Sequence, residues 1–385
     1  MSGAMRLLHT SDWHLGRSFH RENLLDAQAA FLDHLVDTIR EHRIDVVVVA
    51  GDLYDRALPP VDAVRLFDRA LGRIRATGAR AVLISGNHDS MTRMSFASGL
   101  IDASGVHLRS SLDGIDTPVV IDDEHGPVAF YCLPYLEPEI ARHHWDLPER
   151  GHTAAVGYAM DLVRADLSRR PDTRAVVLSH AFVTGGEPSD SERDISVGGA
   201  SHVPVSVYDG VDYVALGHLH GRQTITPSVR YSGSPLAYSF SEEHHTKGYW
   251  VVDLDGDGLA GTEFVQAPVP RPLARVRGRI EDLLTRPEWE AYTGHWLQVT
   301  LTDARRPAHP MDRLRERFPH TLVLEFAPEG GSPDTRPVTT PVADRSERQV
   351  VGDFIAWARG TPATPEEEAL VNTAVEQVRL QERTR

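Results

Sequence analysis

The 385-residue sequence predicts an α/β fold of two sheets flanked by helices, followed by a small α+β domain and a helical tail. Three observations carry that expectation. Strand, helix, strand, helix and strand patterns alternate over the first part of the chain, an order that yields parallel strands. The strands end in Asp, Asn and His, and ligands of such sheets gather at the carboxyl ends of strands. A Pro-rich joint, Ala267-Pro-Val-Pro-Arg-Pro272, then separates this pattern from a shorter one.

Met5 to Thr10 is a short apolar run closed by Ser11-Asp12, which predicts a first strand. Leu24 to His42 has helical spacing, and Ile44 to Ala50 is a β-branched run closed by Gly51. A helix over Val61 to Arg75 leads to a strand over Ala79 to Ile84, closed by Gly86. A hairpin follows (Val119 to Ile121 with Val128 to Leu133), then a helix from Thr153 to Arg169. Ala175 to Leu178 runs into Ser179-His180, and Val211 to Leu216 runs into Gly217-His218. Tyr249 to Leu254 and Leu259 to Val265 form a hairpin around Asp255-Gly-Asp-Gly258. That turn imitates the start of a calcium loop, but Phe264 stands where the bidentate Glu is needed, so calcium binding is rejected. Beyond the joint, Leu273 to Ile280, Trp296 to Leu301 and Thr321 to Phe326 read as strands with helical segments between them. The expected domains are residues 5–268, 272–328, a Gly/Pro/Thr-rich linker over 329–346, and a tail over 347–385 with helices near Glu347 to Ala358 and Glu366 to Leu380.

Composition narrows the function. Cys132 is the only cysteine, so a disulfide framework and a thiolate metal site are both excluded. Any metal must be held by His, Asp and Asn, and 20 His are available. The net charge of −15 argues against a protein that coats nucleic acid by bulk charge. Lys247 is the only lysine, the mark of a high-GC genome rather than of phosphate binding. No apolar run approaches the roughly 20 residues needed to cross a bilayer. The N-terminus shows no secretory pattern, so a cytoplasmic location without membrane association is expected.

Five predicted strand ends carry, in order, Asp12-Trp-His14, Gly51-Asp52, Gly86-Asn87-His88-Asp89, Ser179-His180 and Gly217-His218-Leu-His220. If side chains alternate there as in a strand, Asp12 with His14, and His218 with His220, each reach one site together. The glycines before Asp52, Asn87 and His218 let the chain turn sharply. Oxygen and imidazole donors without thiolate suit Mn²⁺, Fe²⁺ or Zn²⁺ rather than Ca²⁺. The donors are too many for one ion, whereas two ions about 3.5–4 Å apart, bridged by a carboxylate, use them well and serve phosphoester cleavage.

These motifs resemble the calcineurin-like metallophosphoesterases, whose pattern is D-x-H, G-D, G-N-H-[DE], H and G-H-x-H. The resemblance implies a four-layer α/β/β/α sandwich. It also implies Asp12, His14, Asp52 and His220 on one ion and Asp52, Asn87, His180 and His218 on the other, with Asp52 bridging. His88 is then not a ligand but faces the scissile phosphate. Gly51-Asp52-Leu-Tyr-Asp55-Arg56 is similar to the G-D-x-x-D-R of phosphoprotein phosphatases, which implies Asp55 as the partner of His88. Ala57 replaces the glycine that follows in that motif, which weakens the carry-over to Arg56.

Further stretches resemble the SbcD group, bacterial relatives of the nuclease in the eukaryotic MRN complex. They are Leu8 to Arg17, Ser179 to Gly186, Ser189-Asp-Ser-Glu-Arg193 with Ser196-Val-Gly-Gly199, and Tyr231-Ser-Gly-Ser-Pro235 with Tyr238 to Ser241. This resemblance implies an Mn²⁺-dependent 3′–5′ exonuclease on double-stranded DNA ends and an endonuclease on single strands or hairpins, in DNA repair and recombination. Mg²⁺, Fe²⁺ or Zn²⁺ are alternative metals. It implies an SbcC-type coiled-coil ATPase as partner, docked on the tail through Val351, Phe354, Ile355, Ala358 and Val371, Ala374, Val375, Val378. A homodimer within a heterotetramer is expected through helices at Val61 to Ile74 and Met91 to Ile101, and Arg17, Arg93 and Arg222 are candidate phosphate contacts. Two other classes compete: a phosphatase or phosphodiesterase for protein or small nucleotides, and a non-catalytic scaffold with an inert metal site.

Overall fold

The structure, a computed structural model, describes residues 4–193, 195, 202–329, 346–359 and 361–382. The Ser196–Gly199 motif and all but the ends of the expected linker lie outside the described residues. The chain divides into two compact units, Met1–Pro272 and Leu273–Arg385.

The first unit runs through β1 (Met5–Thr10), β2 (Ser18–Phe19), β3 (Glu22–Asn23), α1 (Leu25–Glu41), β4 (Val46–Ala50), α2 (Val61–Ala76) and β5 (Arg80–Ile84). It continues with α3 (Met91–Ser95), α4 (Ser98–Asp102), β6 (Val106–Arg109), β7 (Val119–Asp123), β8 (Gly126–Leu133), α5 (Pro138–Trp145), α6 (His152–Leu167) and β9 (Arg174–His180). β10 (Tyr213–Gly217), β11 (Gln223–Thr226), β12 (Val229–Tyr231), β13 (Gly248–Asp255) and β14 (Gly258–Gln266) complete it.

Two six-stranded sheets result, ordered β14-β13-β1-β4-β5-β6 and β11-β12-β10-β9-β8-β7. Four consecutive strands of each sheet are parallel, β1-β4-β5-β6 in one and β8-β9-β10-β12 in the other. Alternation along each strand explains the layering. Leu7, Val46, Val48, Val82 and Ile84 meet Phe130, Val176, Leu178, Tyr213 and Ala215 between the sheets. Leu8, Val47, Val49 and Leu83 point the other way, under Phe31 and Leu35 of α1 and Phe67 and Ile74 of α2. Tyr131, Val177 and Leu216 do the same beneath Val156, Met160 and Val163 of α6. Both faces of each central strand are therefore covered, which is why those strands read as unbroken apolar runs. The architecture is α/β/β/α.

Two expectations need correction. Met91 to Ile101 is not one helix: α3 and α4 are separated where Ala97 adopts φ 59°. The helix expected to pair over Val61 to Ile74 turns most of its apolar side chains inward: Phe67 and Ile74 are buried in the core of the first sheet and Leu71 packs against it, while Val64 stays exposed. Met94 is likewise buried and Ile101 packs on the same cluster. The large apolar residues left exposed there are Leu58, Val61, Val64, Phe96 and Leu100.

The second unit contains a three-stranded parallel sheet of β15 (Leu273–Gly278), β16 (Trp296–Leu301) and β17 (Thr321–Phe326). Helices α7 (Ile280–Thr285) and α8 (Pro310–Arg317) cover one face, burying Val276, Leu283, Leu297, Val299, Leu301, Leu314 and Phe318 together. The tail is a pair of helices in contact, α9 (Glu347–Arg359) and α10 (Pro365–Glu382). Among the described residues no helix is long and apolar enough to cross a membrane.

Candidate metal centre

All seven residues expected as ligands converge at the carboxyl ends of β1, β4, β5, β9 and β10. They do so by a different local route from the one expected. β1 stops at Thr10, and Asp12 and His14 lie beyond it with φ 53° and 43°; Asp52 has φ 49° and His218 φ 103°. These are left-handed conformations that non-glycine residues rarely adopt, and they cluster at functional sites where surrounding structure enforces them. Here the enforcement is visible. Asp12 N donates to Gly51 O (3.0 Å) and His14 N to Asp52 O (2.9 Å), so the two loops are tied strand-fashion past their sheet. Gln28 of α1 adds a clamp, its amide donating to the His14 carbonyl at 2.8 Å.

Gly51 turns the chain as expected, with φ 93°, whereas Gly86 and Gly217 serve close approach. A Cβ on Gly217 would lie 1.8 Å from the Ala50 carbonyl oxygen, and one on Gly86 would lie 2.2 Å from Asp52 Oδ1. Asp89, the last residue of the Gly86-Asn-His-Asp motif, accepts from Gly86 N, Leu53 N and Tyr54 N at 2.9–3.0 Å. It thereby locks the Asp52 and Asn87 loops together. Burial, and then the Asp52 carboxylate, push the Asp89 carboxyl up to about 7, against the pull of those three donors.

Asp12, His14, Asp52, His180, His218 and His220 are all buried. His14 Nε2 faces His220 Nε2 at 3.1 Å, and Asp52 Oδ2 lies 3.6 Å from His14 Nε2 and 3.5 Å from His180 Nε2. Asn87 Oδ1 sits 2.9 Å from His180 Nε2 and 3.2 Å from His218 Nδ1. Burial, then the neighbouring Asp52, hold the Asp12 carboxyl well above its usual range. Burial, then neighbouring imidazoles, hold His14 and His218 well below theirs, so these rings carry free lone pairs at neutral pH. A cluster in which carboxylates and imidazole lone pairs are turned on one another suits divalent cations. The groups Asp12, His14, His220 and Asp12, Asp52, His180 each bring their ligand atoms within 4.8 Å of one another.

His88 lies at the edge of this cluster, its ring centroid 4.7 Å from that of His14. Its main-chain N donates to Asp52 Oδ1 at 2.9 Å. The expected Asp55 partner is present but through a different group: His88 Nδ1 donates to the main-chain carbonyl of Asp55 at 2.8 Å. The Asp55 carboxylate instead lies 3.6 Å from the Arg17 guanidinium and 3.8 Å from His14 Nδ1. A carboxylate four residues from a glycine turn is directed by the loop's path, which the motif alone does not encode.

Of the candidate phosphate contacts, Arg17 stacks on Tyr238 (4.8 Å) and reaches the Ser191 carbonyl (3.1 Å), so it lines the centre. Arg222 lies over Phe264 at 4.4 Å and within 5.9 Å of Trp250, a packing role. Arg93 is exposed on α3, and Arg56 is exposed past the Asp52 loop.

Sequence reasoning missed the residues behind His220. Ser191 Oγ lies 2.5 Å from His220 Nδ1 and 2.5 Å from Glu242 Oε1. Glu192 Oε1 accepts from His220 N at 2.7 Å, and Lys247 Nζ donates to Glu242 Oε2 (2.5 Å), to the His220 carbonyl (2.8 Å) and to Ser234 Oγ (2.9 Å). Burial opposes the charge on Glu242, but Lys247 and the His220 contact outweigh it and hold the carboxyl well below the usual range. One signal was available: a sole lysine inside an acidic, arginine-rich chain.

The calcineurin-like phosphoesterase family model matches residues 5–222, more than half of the chain. The chain belongs to this family. A second match, to the type 5 capsule protein repressor C-terminal domain, the C-terminal domain of SbcD proteins, covers residues 269–356, consistent with an SbcD family protein. The phosphoesterase fold implies a dinuclear metal site and a metal-dependent hydrolase. Similar solved structures include a dimetal phosphatase from Danio rerio (16% identity, 69% of this chain and 99% of that one, TM-score 0.39). A β-glucosidase from Micrococcus antarcticus (11% identity, 83% and 82% covered, TM-score 0.22) is more distant. These structural likenesses are too remote to decide anything further.

Proposed function

We propose that the chain is the two-metal DNA nuclease subunit of an SbcCD-type complex, with Asp12, His14, Asp52 and His220 on one ion, Asp52, Asn87, His180 and His218 on the other, and Mn²⁺ as the working metal. One observation carries this reading. The seven-residue cluster shares a chain with an SbcD C-terminal domain, which a stand-alone phosphatase has no need of. When bound, the ions supply Lewis-acid charge to the phosphate and to its attacking and leaving oxygens. The remaining chemistry belongs to the side chains. The Asp55 carbonyl can only accept, so His88 Nδ1 carries a hydrogen and Nε2 is the atom that exchanges a proton with the leaving oxygen. Arg17, stacked beside the centre, is placed to meet the phosphate.

The substrate follows as DNA, cut from double-stranded ends and within single strands or hairpins. The acidic net charge is compatible with this, because the ions locally invert the sign and the complex need not draw its DNA affinity from this chain alone. The ATPase partner is proposed to dock on α9 and α10, where Phe354 and Leu370 are 59% and 70% exposed. A homodimer is proposed through Leu58, Val61, Val64, Phe96 and Leu100, the last two 84% and 82% exposed. Sedimentation should show a dimer at micromolar concentration and a monomer for Phe96→Glu; a monomeric parent protein counts against that face.

The decisive experiment incubates the purified protein with Mn²⁺ and end-labelled duplex DNA, beside a chromogenic phosphoester. Shortening of the duplex supports the nuclease. Turnover of the small ester alone turns the reading to a phosphatase, and no turnover of either to a scaffold.

A further inference from the structure

One histidine from each half, His180 and His220, has its outer nitrogen hydrogen-bonded, and the two partners differ in kind; the outer nitrogen of His14 has no hydrogen-bond partner. His180 Nδ1 donates to the Ala50 carbonyl at 2.9 Å, a neutral main-chain acceptor. His220 Nδ1 meets a chain of side chains drawn from two separate segments: Ser191, then Glu242 and Lys247 five residues apart. The ion pair is closed off from water, with Glu242 1% and Lys247 3% exposed.

The direction of every hydrogen in this chain follows from its inner end. An ionised carboxylate only accepts and an ammonium only donates. Lys247 therefore donates to Glu242 Oε2, and Ser191 donates its one hydroxyl hydrogen to Glu242 Oε1 at 2.5 Å. Ser189 Oγ, a weaker acceptor at 3.1 Å, does not compete, and its own hydrogen goes to Glu192 Oε2 at 2.6 Å. With its hydrogen spent, Ser191 Oγ can only accept from His220, so the hydrogen of that imidazole sits on Nδ1. The lone pair is then on Nε2, the atom that faces His14 Nε2 at 3.1 Å.

We propose that Lys247, Glu242 and Ser191 form a relay that fixes the tautomer and orientation of His220, so that the ion held by Asp12, His14 and His220 is bound more tightly than its neighbour. The inference rests on the two-ion reading above. These three are positioning residues, because they meet His220 only at its outer nitrogen and its main-chain carbonyl. Carboxylate-backed imidazoles are more basic ligands than carbonyl-backed ones, and loss of such outer partners typically weakens metal binding ~10–100-fold. The sole lysine of the chain takes this place, where its compact ammonium makes three bonds.

Calorimetric Mn²⁺ titration of the full-length, metal-stripped protein tests this, with Ser191→Ala, Glu242→Gln and the double variant beside the parent. The parent should bind two ions with unequal affinity. Ser191→Ala, which leaves the ion pair intact, should weaken the tighter ion ~10–100-fold and leave the other unchanged. The double variant should be no worse than Glu242→Gln alone, since both changes break one relay. Thermal midpoints measured in chelator separate this from mere destabilisation: Ser191→Ala should melt with the parent. Variants that bind both ions like the parent, or that weaken both ions equally, overturn the relay while leaving the two-ion reading intact. A parent chain that takes up fewer than two ions sinks both.

Discussion

The phosphoesterase unit and the C-terminal unit differ in how far each satisfies its own surface and its own chemistry. In the first, three core clusters enclose both faces of two six-stranded sheets, and every loop that bears a candidate ligand is tied to another. In the second, one small core holds a three-stranded sheet, and the tail helices of 13 and 18 residues leave apolar side chains in solvent. A helix as short as α9 is marginal alone, and most helical stability in proteins comes from packing. The contrast teaches that, among the described residues, the whole candidate metal cluster belongs to the first unit, while exposed apolar side chains mark the tail.

Changes at the centre should break that contrast most severely. Asp52→Ala is expected to remove both ions and all Mn²⁺-dependent hydrolysis together, because its carboxylate faces histidines of both halves at 3.5–3.6 Å. Elemental analysis checks this, and full metal content in an inactive variant would contradict a bridging carboxylate.

Next in size is His88→Ala. It should keep both ions and lose ~10²–10⁴-fold in rate, the usual contribution of positioned proton transfer. His14, Asp55 and His88 also bring ligand atoms within 4.8 Å of one another, so an ion lost with His88 would reassign it as a ligand.

Asp55→Asn should be milder and of a different kind. Its main-chain carbonyl still holds His88, so the effect should fall on Mn²⁺ affinity through Arg17 and His14, at ~10-fold, the low end for such outer residues. Combined with His88→Ala its effect should add; a double variant no worse than His88→Ala alone would return the Asp55 carboxylate to His88.

The smallest effect on chemistry is expected from ending the chain at Asp344. Nuclease activity on simple substrates and the thermal midpoint of the phosphoesterase unit should be unchanged, while co-purification with the coiled-coil ATPase is lost. Undiminished co-purification would move the partner surface to the small α+β domain.

The sequence by itself determined most of the central strands and long helices and the candidate ligands, but not β6, α5, β11 or β12. Unbroken apolar runs marked strands covered on both faces, helical spacing marked α1, α2 and α6, and residue type and order alone singled out all seven members of the cluster. These are local properties, written in periodicity and in side-chain type. Tertiary structure decided what depends on distant segments meeting. It placed Asp12, His14, Asp52 and His218 in left-handed backbone beyond their strands, held by bonds between loops rather than by strand alternation. It turned Phe67 and Ile74 inward and left Phe96 and Leu100 outside, because amphipathic spacing shows a stripe but not which sheet lies under it. It gave His88 the carbonyl of Asp55 in place of its carboxylate, and it brought Ser191, Glu242 and Lys247 behind His220. Short-range pattern carries no record of such contacts, since a buried ion pair forms only once the surfaces that exclude water from it have closed.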